Sequence, residues 1–300
     1  MNALVTGGSG FVGRHLLAHL QACGDTVVGV DRAAPEPVDI VSASSLLRAV
    51  ERSAPAVVYH LAASSHVGDS WNDVDALMRV NVEGTRNVLD ACASVETVRA
   101  VVVIGSAEEY GAVSTTAPIR EDTPLEPITP YGVSKARAEA LAVDAFEHSS
   151  LPVVLVRAFN HTGPGQSDRF LVPGLAARVV RAEREGHDSI DVGNLDTVRD
   201  ITDVRDIVRA YRLLARHGQP GTAYNVCSGR GIQVAEVARA LLDLANCPLE
   251  LRVDPSLVRA VDVPTLVGDP TLIAEATGWV PELTLERTLL DVLHEARSRA

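Results

Sequence analysis

The stretch Ala3-Leu-Val-Thr-Gly-Gly-Ser-Gly-Phe-Val-Gly13 decides how the rest of the chain is read. Ala3 to Thr6 is a short apolar strand, and Gly7, Gly10 and Gly13 then form G-x-x-G-x-x-G where a helix opens. Glycines allow a tight turn and let backbone N–H groups approach a pyrophosphate, to which the helix N-terminus adds partial positive charge. Phe11 to Ala22 carries apolar residues at helical spacing, namely Phe11, Leu16, Leu17 and Leu20. Thr26 to Val30 is strand-like, and Asp31 follows it, 18 residues past Gly13. A carboxylate there accepts hydrogen bonds from the ribose hydroxyls of an adenosine. The neighbouring Arg32 could instead meet a 2′-phosphate, which Asp31 would repel. The pattern favours NAD(H) and leaves NADP(H) possible. Asp39 and Ile40 are placed to hold the adenine edge.

Outward from this turn the alternation continues. A helix is expected near Ser44 to Arg52, a strand at Ala56 to Leu61, a longer helix over about Val74 to Ala93, and a strand from Arg99 to Ile104. Pro130 opens a helix reaching about His148, since its missing N–H would be unpaired there anyway. Pro152 to Ala158 is the next strand. Strands alternating with helices at this spacing give an α/β fold, a Rossmann-type doubly wound parallel sheet. After Asn160 the rhythm loosens. Gly163, Pro164 and Gly165 mark a loop, followed by helix Val172 to Glu185 and strand Ser189 to Val192. Helix Val204 to Arg216, strand Ala223 to Cys227 and helix Val234 to Leu244 come next. Residues 1–160 are expected to form the dinucleotide-binding domain, with later segments at about 189–230 returning to it. Residues 161–300 would form mainly a smaller substrate lobe. Internal repeats, low-complexity tracts and long linkers are not seen.

Composition narrows the function. The 300 residues are 46% hydrophobic and 22% charged, ample for a large core. A net charge of -12 argues against non-specific nucleic-acid binding, and any anionic substrate must be met by a local group of arginines. The longest apolar runs, Ala100 to Ile104 and Val153 to Val156, are too short to span a bilayer. The first strand is expected to begin at Asn2, a pattern in which no signal peptide is expected. Cys23, Cys92, Cys227 and Cys247 are widely spaced without a C-x-x-C pair, so they read as structural thiols of a reducing cytoplasm and not as metal ligands.

The catalytic candidates lie in the middle of the chain. Tyr131-Gly-Val-Ser-Lys135 sets Tyr131 and Lys135 four apart on one helix face. A phenol has a pKa of about 10 when unperturbed. A nearby ammonium and a cationic nicotinamide favour the phenolate, so Tyr131 is expected to be lowered and to shuttle a proton near neutral pH. Ser106 follows the apolar strand ending at Ile104, and ligands sit at such strand ends.

Together the Gly-rich turn, His60-Leu-Ala-Ala63, Asn81, Ser106 and Tyr131/Lys135 resemble an extended short-chain dehydrogenase/reductase, from about Asn2 to Trp279. Further segments are Asn160-His-Thr-Gly-Pro-Gly-Gln166, Val192-Gly-Asn-Leu-Asp196, Val198-Arg-Asp200 and Val263-Pro-Thr-Leu-Val-Gly268. They resemble the branch containing GDP-mannose 4,6-dehydratases and GDP-4-keto-6-deoxy-mannose reductases. The resemblance implies a nucleotide-sugar substrate. Dinucleotide contacts would come from Gly7, Gly10, Phe11, Val12, Gly13, Leu61, Ala62, Ala63 and Asn81, besides Tyr131 and Lys135. Asn160, Arg199 and Arg259 would hold the substrate diphosphate, a task suited to planar, always-charged guanidinium groups. Asp262 would bond the nucleotide ribose, and Ser65 and Val172 would also touch substrate. Gly174 stands where dehydratases place a lysine near the base.

The resemblance also implies the chemistry. Hydride would pass to sugar C4, Tyr131 would protonate the new hydroxyl, Ser106 would steady the oxygen, and Lys135 would tune Tyr131 and hold the nicotinamide ribose. Dehydratases carry a polar residue and then a glutamate after the position of Ser106, whereas here Ala107 precedes Glu108. A methyl group can neither donate a proton nor orient water. The leading expectation is therefore reduction of GDP-4-dehydro-6-deoxy-D-mannose to GDP-D-rhamnose. A 4,6-dehydratase with Glu108 as base, a 4-epimerase and a non-catalytic nucleotide-sugar sensor remain alternatives. The small and apolar residues Leu89, Ala136, Ala138, Ala140, Leu141 and Ala142 suggest a homodimer through a four-helix interface, as in related enzymes.

Overall fold

The computed structural model describes residues 1–34, 36–65, 71, 73–113, 117–258 and 263–300; Arg259 and Asp262 lie outside the described residues. Six strands form the central sheet: β1 (Asn2–Thr6), β2 (Thr26–Val30), β3 (Val57–His60), β4 (Ala100–Ile104), β5 (Val153–Ala158) and β9 (Ala223–Val226). Their order is β2-β1-β3-β4-β5-β9, every pair parallel, with Val5 opposite Gly29 on one side and Tyr59 on the other. Helices cover both faces, which is why β3 and β5 are buried along their whole length and read as near-continuous apolar runs.

Two apolar layers hold this unit together. On one face Leu16 and Leu20 of α1 (Phe11–Ala22) pack with Ile207, Tyr211 and Leu214 of α7 (Val204–His217) and Ile273 of α9 (Thr271–Thr277). On the other, Leu46 and Val50 of α2 (Ala43–Ser53) meet Val88 and Leu89 of α4 (Gly84–Ala93) and Ala142 of α5 (Pro130–Ser149). The helix expected over about Val74 to Ala93 is not uniform. A π-helical turn at Arg79–Glu83 separates α3 (Val74–Met78) from α4. There the Thr85 hydroxyl donates to the Asn81 carbonyl at 2.6 Å, and Ile40 packs so closely on Gly84 that a side chain at 84 would overlap it.

The smaller lobe has its own core. Val172 and Leu175 of α6 (Leu171–Glu185) pack with Val237 and Leu241 of α8 (Val234–Asp243) and Leu289 and Leu293 of α10 (Leu285–Arg299). β7 (Ser189–Val192) pairs with β11 (Glu250–Val253), while β8 (Val198–Asp203) pairs with β6 (Asn160–Thr162), β10 (Gly231–Gln233) and β12 (Thr265–Leu266). Of the segment at about 189–230, β9 joins the large sheet and α7 packs on it, whereas β7 and β8 belong to two separate small sheets. α9 also crosses back to pack on α7.

Candidate active site

A cavity of about 760 Å³ runs between the two lobes, along the C-terminal ends of β1, β3, β4 and β5. At one end lies the Gly-rich turn. Gly7 has a φ of +72°, and a side chain on Gly13 would collide with the Gly7 carbonyl. Gly10 caps α1 without a side-chain bond and no acid stands in the first turn, so Phe11, Val12 and Gly13 present uncapped helix-start amides to the cavity. That cradle fits a pyrophosphate. Leu61, Ala62, Ala63 and Ser65 line the same wall.

Asp31 stands beside the turn but off the wall. Its carboxylate accepts from Ser9 N at 2.6 Å and Ala33 N at 2.7 Å. Burial would raise this group, yet the bonds from Ser9, Ala33 and Ala34 outweigh it and hold it below the usual carboxylate range. Arg32 is exposed. Asp39 accepts from Val41 N, and Ile40 is buried against Gly84, so the structure gives both a visible local packing role off the cavity wall. Asn81 is likewise internal. Its side chain joins Ser64, through N at 2.8 Å and O at 3.1 Å, to Ser134 Oγ at 2.9 Å.

The central section brings Ser106, Glu108, Tyr131 and Lys135 onto one wall. Thr129 caps α5 by accepting from Gly132 N at 3.0 Å, and Pro130 supplies the first helical position. This sets Tyr131 in the first turn. Lys135 Nζ donates to the Ile104 carbonyl at 2.7 Å, tying α5 to the end of β4. The expected lowering of Tyr131 belongs to the site with a cationic nicotinamide beside it, and burial acts in the opposite direction. Burial pushes its phenol well above the ordinary value, Ser106 draws it down by hydrogen bonding, and Glu109 and Glu108 push it further up to the extent that they are ionised. Burial also pulls the Lys135 ammonium down to about 8, which a charge on Glu109 would oppose. Tyr131, Lys135 and Ser106 are 8%, 7% and 9% exposed, and in so enclosed a place desolvation outranks the pairing that sequence spacing suggests.

The far end holds Asn160 and Arg199 on the cavity wall, Arg199 donating to the Val198 carbonyl at 2.9 Å. Val172 is placed differently: it is buried among the small-lobe apolar residues and does not line the cavity. Spacing did not single out Arg14, Gln166, Arg178 or Asn194, which also line it. Arg14 bonds the carbonyls of Ser9 and Gly165, joining the Gly-rich turn to the loop after β6. Arg178 lines the cavity from α6, whose residues Leu171 to Val180 are otherwise apolar, and an arginine interrupting that apolar run was the available signal.

A parallel sheet with uncapped α1 amides and a buried Ser106/Tyr131/Lys135 wall defines a dinucleotide-dependent oxidoreductase architecture. The chain belongs to the NAD dependent epimerase/dehydratase family, whose model matches residues 3–227. It is similar to the GDP-6-deoxy-D-mannose reductase of Pseudomonas aeruginosa, with 34% identity covering 98% of this chain and 97% of that one. The GDP-6-deoxy-D-talose 4-dehydrogenase of Aggregatibacter actinomycetemcomitans is 28% identical over 99% and 98% of the two chains. A GDP-mannose 4,6-dehydratase of Yersinia enterocolitica is 27% identical over 85% and 76%. Among solved structures, RMD from P. aeruginosa complexed with NADPH matches with a TM-score of 0.92, 33% identity and full coverage of both chains. The UDP-glucose 4-epimerase of Thermus thermophilus in complex with NAD matches with a TM-score of 0.89 at 27% identity, again over both whole chains. The protein is an NAD(P)-dependent enzyme of this family.

Proposed function

We propose that the enzyme reduces a 4-keto-6-deoxy nucleotide sugar, specifically GDP-4-dehydro-6-deoxy-D-mannose to GDP-D-rhamnose. The observation that carries this reading is the end-to-end likeness to the P. aeruginosa reductase. When bound, NAD(P)H would supply the hydride for the C4 carbonyl. Tyr131 gives its proton to the C4 oxygen; burial keeps the phenol protonated near neutral pH, the form an acid needs. Ser106 donates a hydrogen bond to the same oxygen and so stabilises the charge that develops there. Lys135 holds the nicotinamide ribose. Asn160 and Arg199 meet the diphosphate from the cavity wall, and the resemblance adds Arg259 and Asp262. Residues 1–160 would serve mainly the cofactor and 161–300 mainly the substrate. Asp31 beside the Gly-rich turn supports NAD(H), and exposed Arg32 leaves NADP(H) accessible. A homodimer and a cytoplasmic location belong to the same reading; among the described residues no helix is long and apolar enough to cross a membrane.

Glu108 on the cavity wall is the observation that favours a 4,6-dehydratase instead. That enzyme must also remove a proton from C5 and expel the C6 hydroxyl. Ala107 is buried among Tyr110, Phe159 and Leu266, so the position next to Glu108 belongs to an apolar cluster and supplies no second acid. The deciding experiment incubates the protein with GDP-mannose and, separately, with its 4-keto-6-deoxy derivative plus NADH or NADPH. Stoichiometric oxidation of reduced cofactor with the keto sugar supports the reductase, and NMR of the product assigns C4 as rhamno or talo. Efficient water loss from GDP-mannose without added reduced cofactor would overturn it in favour of Glu108 as base.

A further inference from the structure

Behind the Ser106 turn lies a carboxyl group that the chemistry above does not use. Glu109 is fully buried at the end of the short 3₁₀ turn Ala107–Glu109. Its Oε1 accepts the Ser106 backbone N–H at 2.6 Å, and its own N–H donates to the Ser106 carbonyl at 3.1 Å. Ser106 Oγ in turn accepts from Glu108 N at 3.2 Å. The carboxyl sits so tightly beneath the turn that any side chain on Gly105 would overlap Oε1. The other oxygen, Oε2, is buried without a donor.

What faces Glu109 is a second carboxyl, that of Glu139. Both Glu139 oxygens are taken by Arg157, through Nη2 at 2.6 Å and Nε at 3.0 Å. Arg157 is fixed by the Tyr110 hydroxyl at 2.9 Å and the Glu121 carbonyl at 2.8 Å. Two carboxyl groups in contact away from water cannot both be ionised. Glu139 is matched by the arginine, and burial and Glu139 together outweigh the Ser106 N–H and the Lys135 ammonium that oppose them, so the proton resides on Glu109, where it gives Oε2 a bond to make. Glu139 also follows Tyr131 and Lys135 at intervals of four on α5, which puts all three on one helix face.

We propose that Glu109 is a positioning residue: as the protonated acid it donates to Glu139 on α5 and accepts from Ser106 N–H, fixing the β4 turn against the helix that carries Tyr131 and Lys135. Ser106 and Tyr131 must address one substrate oxygen from two different elements, and this bracket sets their separation. Lys135 Nζ to Ile104 O is a second link between the same two elements.

The inference rests on the reductase reading for its turnover assay but not for its exchange assay. Glu109→Gln keeps an acceptor for Ser106 N–H and a donor for Glu139; Glu109→Leu keeps neither. Because misplacement of about 1 Å can cost on the order of 100-fold, Glu109→Leu should lose about 10- to 100-fold in kcat, and Glu109→Gln at most about threefold. NAD(P)H Kd and sugar KM should change little in either variant, a split that general loosening of the fold would not give. Amide hydrogen exchange over residues 105–111 should quicken in Glu109→Leu and not in Glu109→Gln. Wild-type kcat in the leucine variant, or equal loss in both variants, overturns the proposal. If Glu109→Leu does not fold, a loss of about tenfold or more in Glu109→Gln overturns it and retained turnover supports it. If the wild-type protein reduces no keto sugar, the functional reading fails while the exchange contrast still decides the bracket.

Discussion

Ser106, Tyr131 and Lys135 show how far residue spacing carries chemistry and where surroundings take over. Their co-location on one wall is what Y-x-x-x-K and a serine at a strand end imply. The protonation state is not, because burial at both Tyr131 and Lys135 is invisible in a four-residue spacing. Tyr131→Phe should lose roughly 10²- to 10⁴-fold in turnover while NAD(P)H binding, measured by fluorescence titration, stays intact. Near-normal turnover would remove Tyr131 from the acid role. Arg199→Ala should raise the sugar KM by an amount equivalent to about 1.5–3 kcal/mol for a lost charge-assisted bond, with cofactor Kd unchanged. An equal weakening of both ligands would assign Arg199 to structure instead.

At the scale of the element, β3 is joined to β1 and α4 by one buried ring. His60 Nδ1 lies 2.8 Å from Thr6 Oγ1 and Nε2 lies 2.9 Å from Thr85 Oγ1. Thr85 gives its proton to Asn81 O, so His60 donates through Nε2 and is neutral. Burial, with Lys135 adding to it, pulls His60 down to about 3, against about 6.5 in an unfolded chain. Between those values the unfolded chain binds the extra proton. Stability should therefore fall as pH drops below about 6.5, at up to about 1.4 kcal/mol per pH unit from this group, and stop falling on its account near 3. Urea unfolding of His60→Asn should show a shallower acid limb than wild type; superimposable limbs would refute the assignment. His60 was legible only as part of a resemblance, since its two ring partners come from β1 and α4. Most large-sheet elements were legible because their buried residues are apolar. β8 was not: Asp200, Thr202 and Asp203 are its buried residues. Asp200 accepts from Ser228 and Gly229 amides at 2.7 and 2.9 Å, so a polar strand is held inside by loop N–H groups that no periodicity reports. β6, β10 and β12 are too short to carry a pattern, while α10 does carry one at Leu285, Leu289, Val292 and Leu293.

At the scale of the whole molecule, the open point is the surface of α4 and α5. Leu89, Ala138 and Ala142 are spent on the protomer's own core, so the apolar count that suggested a four-helix interface overstates what is left outside. Ala140 is exposed, with Ala136 and Leu141 half-buried beside it, and Arg137 and Asp144 flank it. A two-fold interface is isologous, so each residue meets a counterpart fixed by the axis. If two copies of α5 cross antiparallel at Ala140, the small side chain permits close approach, and Arg137 of one protomer falls opposite Asp144 of the other. The outer face of α4 is polar, with Arg86 and Asp90 exposed and Glu83 exposed just before it, and would form the rim. Exposed ion pairs contribute only about 0–1 kcal/mol each, so the Arg137–Asp144 pairing selects the register more than it holds the dimer. Wild-type protein should have a dimeric mass by light scattering at micromolar concentration. Ala140→Glu should give monomers by forcing two carboxylates into the crossing point. Arg137→Asp should weaken association, since like charges would then face each other, and adding Asp144→Arg should restore it. A monomeric wild-type mass would reject the dimer; a dimer unmoved by Ala140→Glu would reject this face, and failure of the charge swap to restore association would reject the antiparallel register.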